Sequence, residues 1–180
     1  NTFHFVNLIT KKKPFIACDP SLLFTPKIIS GENSNFDYGG ENTKYVLIYG
    51  IFFSKNQINE IKKFSKKNNF KIISICYYNL WADKNILSVN PNDFISLIKD
   101  SKLIITSMFH GIMLSYKNQK NFWYSQDPYR KNKIDFFIKK FDLQKRNMEF
   151  FNNDNLDFNK NINLFSEWID ESKQQLLESF

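Results

Sequence analysis

Two kinds of hydrophobic pattern alternate along this chain. Short, continuously apolar runs rich in β-branched residues are typical of buried strands in a parallel sheet. Longer segments carry apolar residues at every third or fourth position, which indicates helices with one buried face. The predicted strands are Tyr45–Tyr49, Phe70–Cys76, Leu103–Thr106 and Asn121–Tyr124; the predicted helices are Asn56–Asn68, Pro91–Ser101, Phe109–Tyr116, Lys133–Phe141 and a C-terminal helix over about 160–179.

The strict alternation of strand and helix predicts the fold class. It favours an α/β fold, a doubly wound parallel sheet that is Rossmann-like, with right-handed crossovers. A chain of 180 residues suits one domain over 1–180. Residues 1–14 are interpreted as a linker or an entering strand, and Tyr77–Val89 as a long connection, whereas Asn147–Phe151 is ambiguous.

One stretch organises the rest of the chain. The strand Leu103–Thr106 leads through Ser107 and Met108 to the pair His110-Gly111, where the next helix begins. Ligands of open α/β sheets bind just beyond the carboxyl ends of strands, and the first N–H groups of a helix favour an anion. His110 is therefore predicted to lie in the active cleft. The alternative is a hydrogen-bonded histidine of the core.

Several kinds of site are not indicated. The sequence has no G-x-G-x-x-G or Walker-type loop, which argues against a standard dinucleotide or P-loop site. The two cysteines, Cys18 and Cys76, lie far apart and show no metal-ligand spacing. We therefore expect no metal, no cofactor, and a reduced, cytoplasmic protein.

The chain is basic, with a net charge of +7 from 25 Lys and Arg against 18 Asp and Glu. Nearly all the cations are lysines, which fits a biased genome as well as it fits an anionic ligand or a membrane-surface substrate. No nucleic-acid recognition motif is present, so nucleic acid is not expected as a partner. The apolar runs are too short to span a membrane.

With these residues in view, the chain resembles the polysaccharide pyruvyl transferase family. In that family a P-x-x-F helix leads into a strand that ends in Ser-Phe-His-Gly or Arg-Leu-His. The matching segments lie in the same order over about residues 15–175: Asp19-Pro20 with Leu22-Leu23, the strand Tyr45–Tyr49, Asn90–Phe94, Ile98–Ser101, Leu103–Thr106, Phe109-His110-Gly111, and a closing stretch with Arg130, Lys133-Ile134, Leu143 and Arg146.

The resemblance implies an architecture and an activity. Family members resemble GT-B glycosyltransferases, in which two Rossmann-like domains face each other across a cleft, and this chain resembles the C-terminal half. The resemblance thus implies an N-terminal domain that lies outside this sequence and would be a partner for this one. The implied reaction transfers the enolpyruvyl group of phosphoenolpyruvate to a sugar of a surface polysaccharide. The acceptor would be a sugar or a lipid-linked oligosaccharide, met in the cytoplasm at the inner face of the membrane, with peripheral association.

The resemblance also implies roles for individual residues. His110 would be catalytic, binding phosphoenolpyruvate or delivering a proton. Gly111 would let the backbone approach the ligand, and cations after the fourth strand would contact phosphate or carboxylate. The implied substrate-binding residues are Phe109, Gly111, Ser107, Arg130, Lys131 and Lys133. Tyr77, Tyr78 and Trp81 are interpreted either as sugar-stacking or as packing residues.

One departure from the family pattern keeps other functions open. Relatives carry Arg or Asp-Ser before the Phe/Leu-His pair, whereas this chain has Ser107-Met108. A methionine can neither pair with an anion nor orient a histidine. The alternatives are a GT-B-type glycosyltransferase domain that binds a nucleotide sugar, and a catalytically inactive binding domain.

Overall fold

The computed structural model describes residues 15–23, 43–126, 131–152 and 154–178. These residues belong to two compact units, which are described separately. The smaller unit contains 15–23 and 162–178, and the larger contains the described residues between 43 and 161. The predicted linker or strand over 1–14 lies outside the described residues, as do residues 24–42.

The larger unit is built on a five-stranded sheet in which every neighbouring pair is parallel. Its spatial order is β3-β2-β1-β4-β5. The strands are β1 Tyr45–Tyr49, β2 Lys71–Ile75, β3 Lys84–Ile86, β4 Leu103–Thr106 and β5 Phe122–Tyr124. The prediction of an α/β fold with a parallel sheet is thus confirmed.

The described residues also form six α-helices. They are α1 Pro20–Leu23, α2 Lys55–Asn68, α3 Pro91–Asp100, α4 Phe109–Lys117, α5 Lys131–Lys140 and α6 Ile162–Glu178, with short 3-10 helices at Gln144–Arg146 and Met148–Phe150. Local chemistry sets where they begin. Ser54 and Gln57 form a capping box on α2. Asn90 caps α3, its side chain accepting the N–H of Asp93 at 2.9 Å.

The register places helices on both faces of the sheet. Successive side chains of a strand point to opposite faces, and Val46 and Ile48 of β1 share a core cluster with Ile61 of α2. On the other face, the hydroxyl of Tyr45 donates to the backbone oxygen of Leu97 in α3 at 2.8 Å. The fold is therefore doubly wound and Rossmann-like.

One sequence prediction in this unit was wrong. The connection predicted over Tyr77–Val89 contains β3, which pairs with β2 through Ile73 and Lys84. This strand has only three residues, and Lys84 and Asn85 interrupt any apolar run. Its backbone is anchored instead by side chains, since Asp83 Oδ2 accepts the N–H of Ile72 at 2.7 Å.

The smaller unit contains α1 and α6, with Leu22, Phe165 and Trp168 buried. Two hydrogen bonds join its segments: the N–H of Cys18 donates to Ser172 Oγ at 2.9 Å, and Trp168 Nε1 donates to the backbone oxygen of Ile16 at 2.9 Å. The predicted C-terminal helix is confirmed. No helix in the described ranges is long and apolar enough to cross a membrane.

Candidate active site

The strand order creates a crevice at one edge of the sheet. The chain runs outward from β1 to β2 and β3, then returns to add β4 and β5 on the other side of β1. Ligands of open α/β sheets bind at this switch point, beyond the carboxyl ends of the two central strands. A cleft of about 490 Å³ lies there, lined by Tyr49, Tyr77, Met108, Phe109, His110, Asn132 and Lys133.

Two hydroxyl groups join the ends of β1 and β4 beneath the cleft. Thr106 Oγ1 donates to the backbone oxygen of Tyr49 at 2.6 Å and accepts the N–H of Met108 at 3.0 Å. Ser107 Oγ donates to the backbone oxygen of Ile51 at 2.9 Å and accepts the N–H of the same residue at 3.1 Å. Ser107 was predicted to bind substrate, but its buried hydroxyl is engaged by the loop after β1.

Glycines let these segments approach closely. A Cβ on Gly111 would lie 2.2 Å from Thr106 Oγ1 and 2.9 Å from a ring carbon of Tyr49. The first turn of α4 therefore rests directly on the strand ends, and Gly111 faces the sheet. Gly50 has φ +152°, and a Cβ there would lie 2.3 Å from Ser107 Oγ, so this position also requires glycine.

His110 is exposed at the mouth of the cleft, in the first turn of α4. Its ring lies 5.7 Å from that of the buried Phe109, centroid to centroid. Met108 holds the N-cap position and makes no side-chain capping bond. Since the first N–H groups of a helix have no acceptor within it, this end of α4 favours an anion beside His110.

The predicted cations take different places. Lys133 lines the cleft, with its Nζ 4.2 Å from the centroid of the Phe109 ring. Lys131 is not among the described residues that line the cleft. Its Nζ forms an ion pair with Asp135 Oδ2 at 3.7 Å. Arg130 lies outside the described residues. Of the predicted site residues, the structure thus brings together His110, Phe109 and Lys133.

The sequence reasoning gave no binding role to three residues that line the cleft, Tyr49, Met108 and Asn132. Tyr49 ends β1, and only the strand order shows that β1 lies next to β4. Tyr77 had been considered for sugar stacking, and it does line the cleft, with its ring centroid 5.7 Å from that of Tyr49. The Tyr49 ring is held from another side by Phe94, at 4.9 Å.

Arg146, part of the closing stretch of the resemblance, is buried away from the cleft lining. Its guanidinium donates to the backbone oxygens of Phe122 and Asp154 at 3.1 and 2.9 Å and lies 4.3 Å from the Trp123 ring centroid. Burial lowers the pKa of Arg146 to about 10. We conclude that this arginine supports β5. In the described ranges, no three His, Cys, Asp or Glu side chains converge to hold a metal ion.

Comparison with known proteins decides the family. The family model described as polysaccharide pyruvyl transferase matches residues 2–124. The chain belongs to the polysaccharide pyruvyl transferase family. The matched range includes all five strands and His110. Neither the curated proteins nor the solved structures contain a match. Membership indicates a polysaccharide pyruvyl transferase-like function and a polysaccharide acceptor.

Proposed function

We propose that the cleft at the switch point binds phosphoenolpyruvate and that the protein transfers its enolpyruvyl group to a sugar of a surface polysaccharide. The observation that supports this most directly is the meeting of His110, Lys133 and the N-terminus of α4 at one cleft. The family membership gives the reaction class. The acceptor, as the resemblance implies, is a sugar or a lipid-linked oligosaccharide that is met at the inner face of the membrane.

The charges of the cleft suit this donor. Phosphoenolpyruvate carries a phosphate and a carboxylate, and both need cations or N–H donors. Lys133 supplies a cation and the first turn of α4 supplies oriented N–H groups. We expect one of these groups to hold the phosphate while the other holds the carboxylate.

The reaction needs one proton transfer that a histidine can make. Two sugar hydroxyls form bonds to the central enol carbon, and the bond from that carbon to the phosphate oxygen breaks. One hydroxyl proton ends on the methylene carbon, which becomes a methyl group, and the other leaves with phosphate. His110, exposed at the cleft mouth, is placed to deliver the proton to carbon or to the leaving phosphate.

The sugar would occupy the aromatic side of the cleft. Tyr49 and Tyr77 line it with rings 5.7 Å apart, and an aromatic ring combines an apolar face with a polar hydroxyl. The resemblance implies that a second Rossmann-like domain faces this cleft and completes the acceptor site. Active protein is therefore expected to contain that N-terminal half.

The test measures phosphate release from phosphoenolpyruvate with sugar acceptors, using the protein joined to its N-terminal half. His110→Ala should reduce the rate by about 100-fold or more, the usual contribution of a positioned acid or base. Lys131→Gln, on the neighbouring helix but outside the cleft lining, should keep the parent rate. A His110→Ala rate equal to the parent rate, or turnover of nucleotide sugars instead, would refute the proposal.

A further inference from the structure

A second groove lies at the opposite edge of the sheet from the cleft. It is formed where α2 ends and where β2 and β3 begin, so it is at the amino edge of the strands. Its volume is about 360 Å³, and its lining includes Lys62, Ser65, Lys66, Asn69, Lys71 and Trp81. The strand β2 separates this groove from the carboxyl edge, where His110 lies.

The groove concentrates positive charge. Lys62 and Lys66 are one helical turn apart on α2, and Lys71 is the first residue of β2. All three side chains are exposed, and none takes part in the ion pairs found among the described residues. Like charges one helical turn apart destabilise a helix slightly, so an anion between these lysines would relieve their repulsion.

The walls of the groove also carry polar and aromatic groups. Ser65 is 3% exposed, and its Oγ has no hydrogen-bond partner within the described residues. Buried hydroxyls without a partner are rare and call for a reason. The Trp81 ring lines the groove and is braced by Phe53, ring centroids 5.8 Å apart and nearly perpendicular.

We propose that this groove binds an acidic sugar residue of the polysaccharide, with the sugar carboxylate held by Lys66 and Lys71 and the sugar ring against Trp81. The identity of the polymer rests on the proposed function, because a pyruvate ketal places a carboxylate on each modified sugar. The groove would then hold an acidic, already modified stretch of the chain while another stretch reaches the cleft.

The composition of the groove favours a saccharide over a nucleic acid. Asp83 also lines it, fixed by the N–H of Ile72 at 2.7 Å. A carboxylate repels a continuous run of phosphates, but it accepts hydrogen bonds from sugar hydroxyls. Asn69 offers a further amide, exposed at the end of α2. An acidic polysaccharide carries isolated carboxylates among many hydroxyl groups, which matches the lysines and hydrogen-bonding groups of the groove.

The experiment measures calorimetric binding of an oligogalacturonate, with its neutral methyl ester as the matched ligand. The parent protein should bind the acid and not the ester, and added salt should weaken the binding. The Lys66→Gln/Lys71→Gln variant should bind the acid at least tenfold more weakly. The control is Lys63→Gln/Lys67→Gln, which removes the same charge from exposed positions of α2 outside the groove lining and should bind like the parent.

Three outcomes would overturn the proposal: equal losses in the groove and control variants, equal binding of the ester, or preferential binding of single-stranded DNA that displaces the sugar. Circular dichroism checks that each variant is folded. His110→Ala is expected to bind oligogalacturonate like the parent. Loss of turnover in that variant therefore tests the cleft, and loss of sugar binding in the lysine variant tests the groove.

Discussion

The small residues around the first turn of α4 control how His110 is presented. Gly111 lets the helix rest on Thr106, and Ser107 holds the loop after β1 by two hydrogen bonds to Ile51. Neither residue needs to contact the substrate in order to affect the position of His110. Both act by fixing the distance between α4 and the strand ends, on which the position of the imidazole depends.

Replacement of Gly111 by alanine should destabilise the protein. The new Cβ would lie 2.2 Å from Thr106 Oγ1, and the shift needed to relieve this overlap outweighs the better helix propensity of alanine. We expect the free energy of unfolding to fall by about 2 kcal/mol, measured by urea denaturation. The control His110→Ala, at the exposed neighbouring position, should change it by less than about 0.5 kcal/mol. Equal effects of the two substitutions would contradict the packing role of Gly111.

Replacement of Ser107 by alanine should loosen the loop after β1. The change removes both hydrogen bonds to Ile51 and leaves its backbone groups without these partners. We expect a loss of about 2 kcal/mol in the free energy of unfolding and faster hydrogen exchange at the Ile51 amide. Unchanged exchange at that amide would show that Ser107 does not hold the loop.

Sequence reasoning succeeded at the residue scale where the signal was local. His110 follows an apolar strand directly, so its place at the carboxyl edge could be predicted. The partners of Ser107 and Gly111 could not, because Tyr49 at the end of β1 and Ile51 in the loop after it lie more than 50 residues earlier in the chain. Roles set by contacts between distant segments need the register of the sheet, which no local pattern contains.

At the scale of elements, long periodic segments were predictable and short polar ones were not. The helices α2 and α3 can be recognised in the sequence from the spacing of their apolar residues and from the residues that cap them. The strand β3 does not, because its three residues include Lys84 and Asn85. It forms because β2 offers an edge and because Asn79 hydrogen-bonds Asn85 at 2.8 Å, so tertiary context decides its conformation.

The buried Arg146 links β5 to the segment that follows α5. Its guanidinium bonds backbone oxygens on both sides and lies over Trp123. Arg146→Met should lower the free energy of unfolding by about 3 kcal/mol, since it leaves the buried backbone oxygen of Phe122 and the partly buried backbone oxygen of Asp154 without these donors. Arg146→Lys should recover little of this loss, because an ammonium group cannot reproduce the planar guanidinium, which donates to both backbone oxygens at once. Thermal or urea unfolding of the two variants measures both effects, and a lysine variant as stable as the parent would contradict this role.

At the scale of the whole molecule, strand order determines where chemistry can occur. The parallel sheet was predicted from alternation, but the order β3-β2-β1-β4-β5 was not. That order brings Tyr49 and Tyr77 to the same cleft as His110 and Lys133. The same topology separates the cleft from the lysine-lined groove by placing them at opposite edges of the sheet. Under the two proposals above, a long polymer would have two points of attachment.

The most direct measurement is a calorimetric titration of phosphoenolpyruvate into the protein and three variants. The parent should bind, and Lys133→Gln and His110→Gln should each bind at least tenfold more weakly, because the first removes a cation and the second an imidazole proposed to contact the ligand. Lys131→Gln, whose lysine pairs with Asp135 outside the cleft lining, should bind like the parent. If both cleft variants bind phosphoenolpyruvate as tightly as the parent does, the cleft at the switch point is not the donor site.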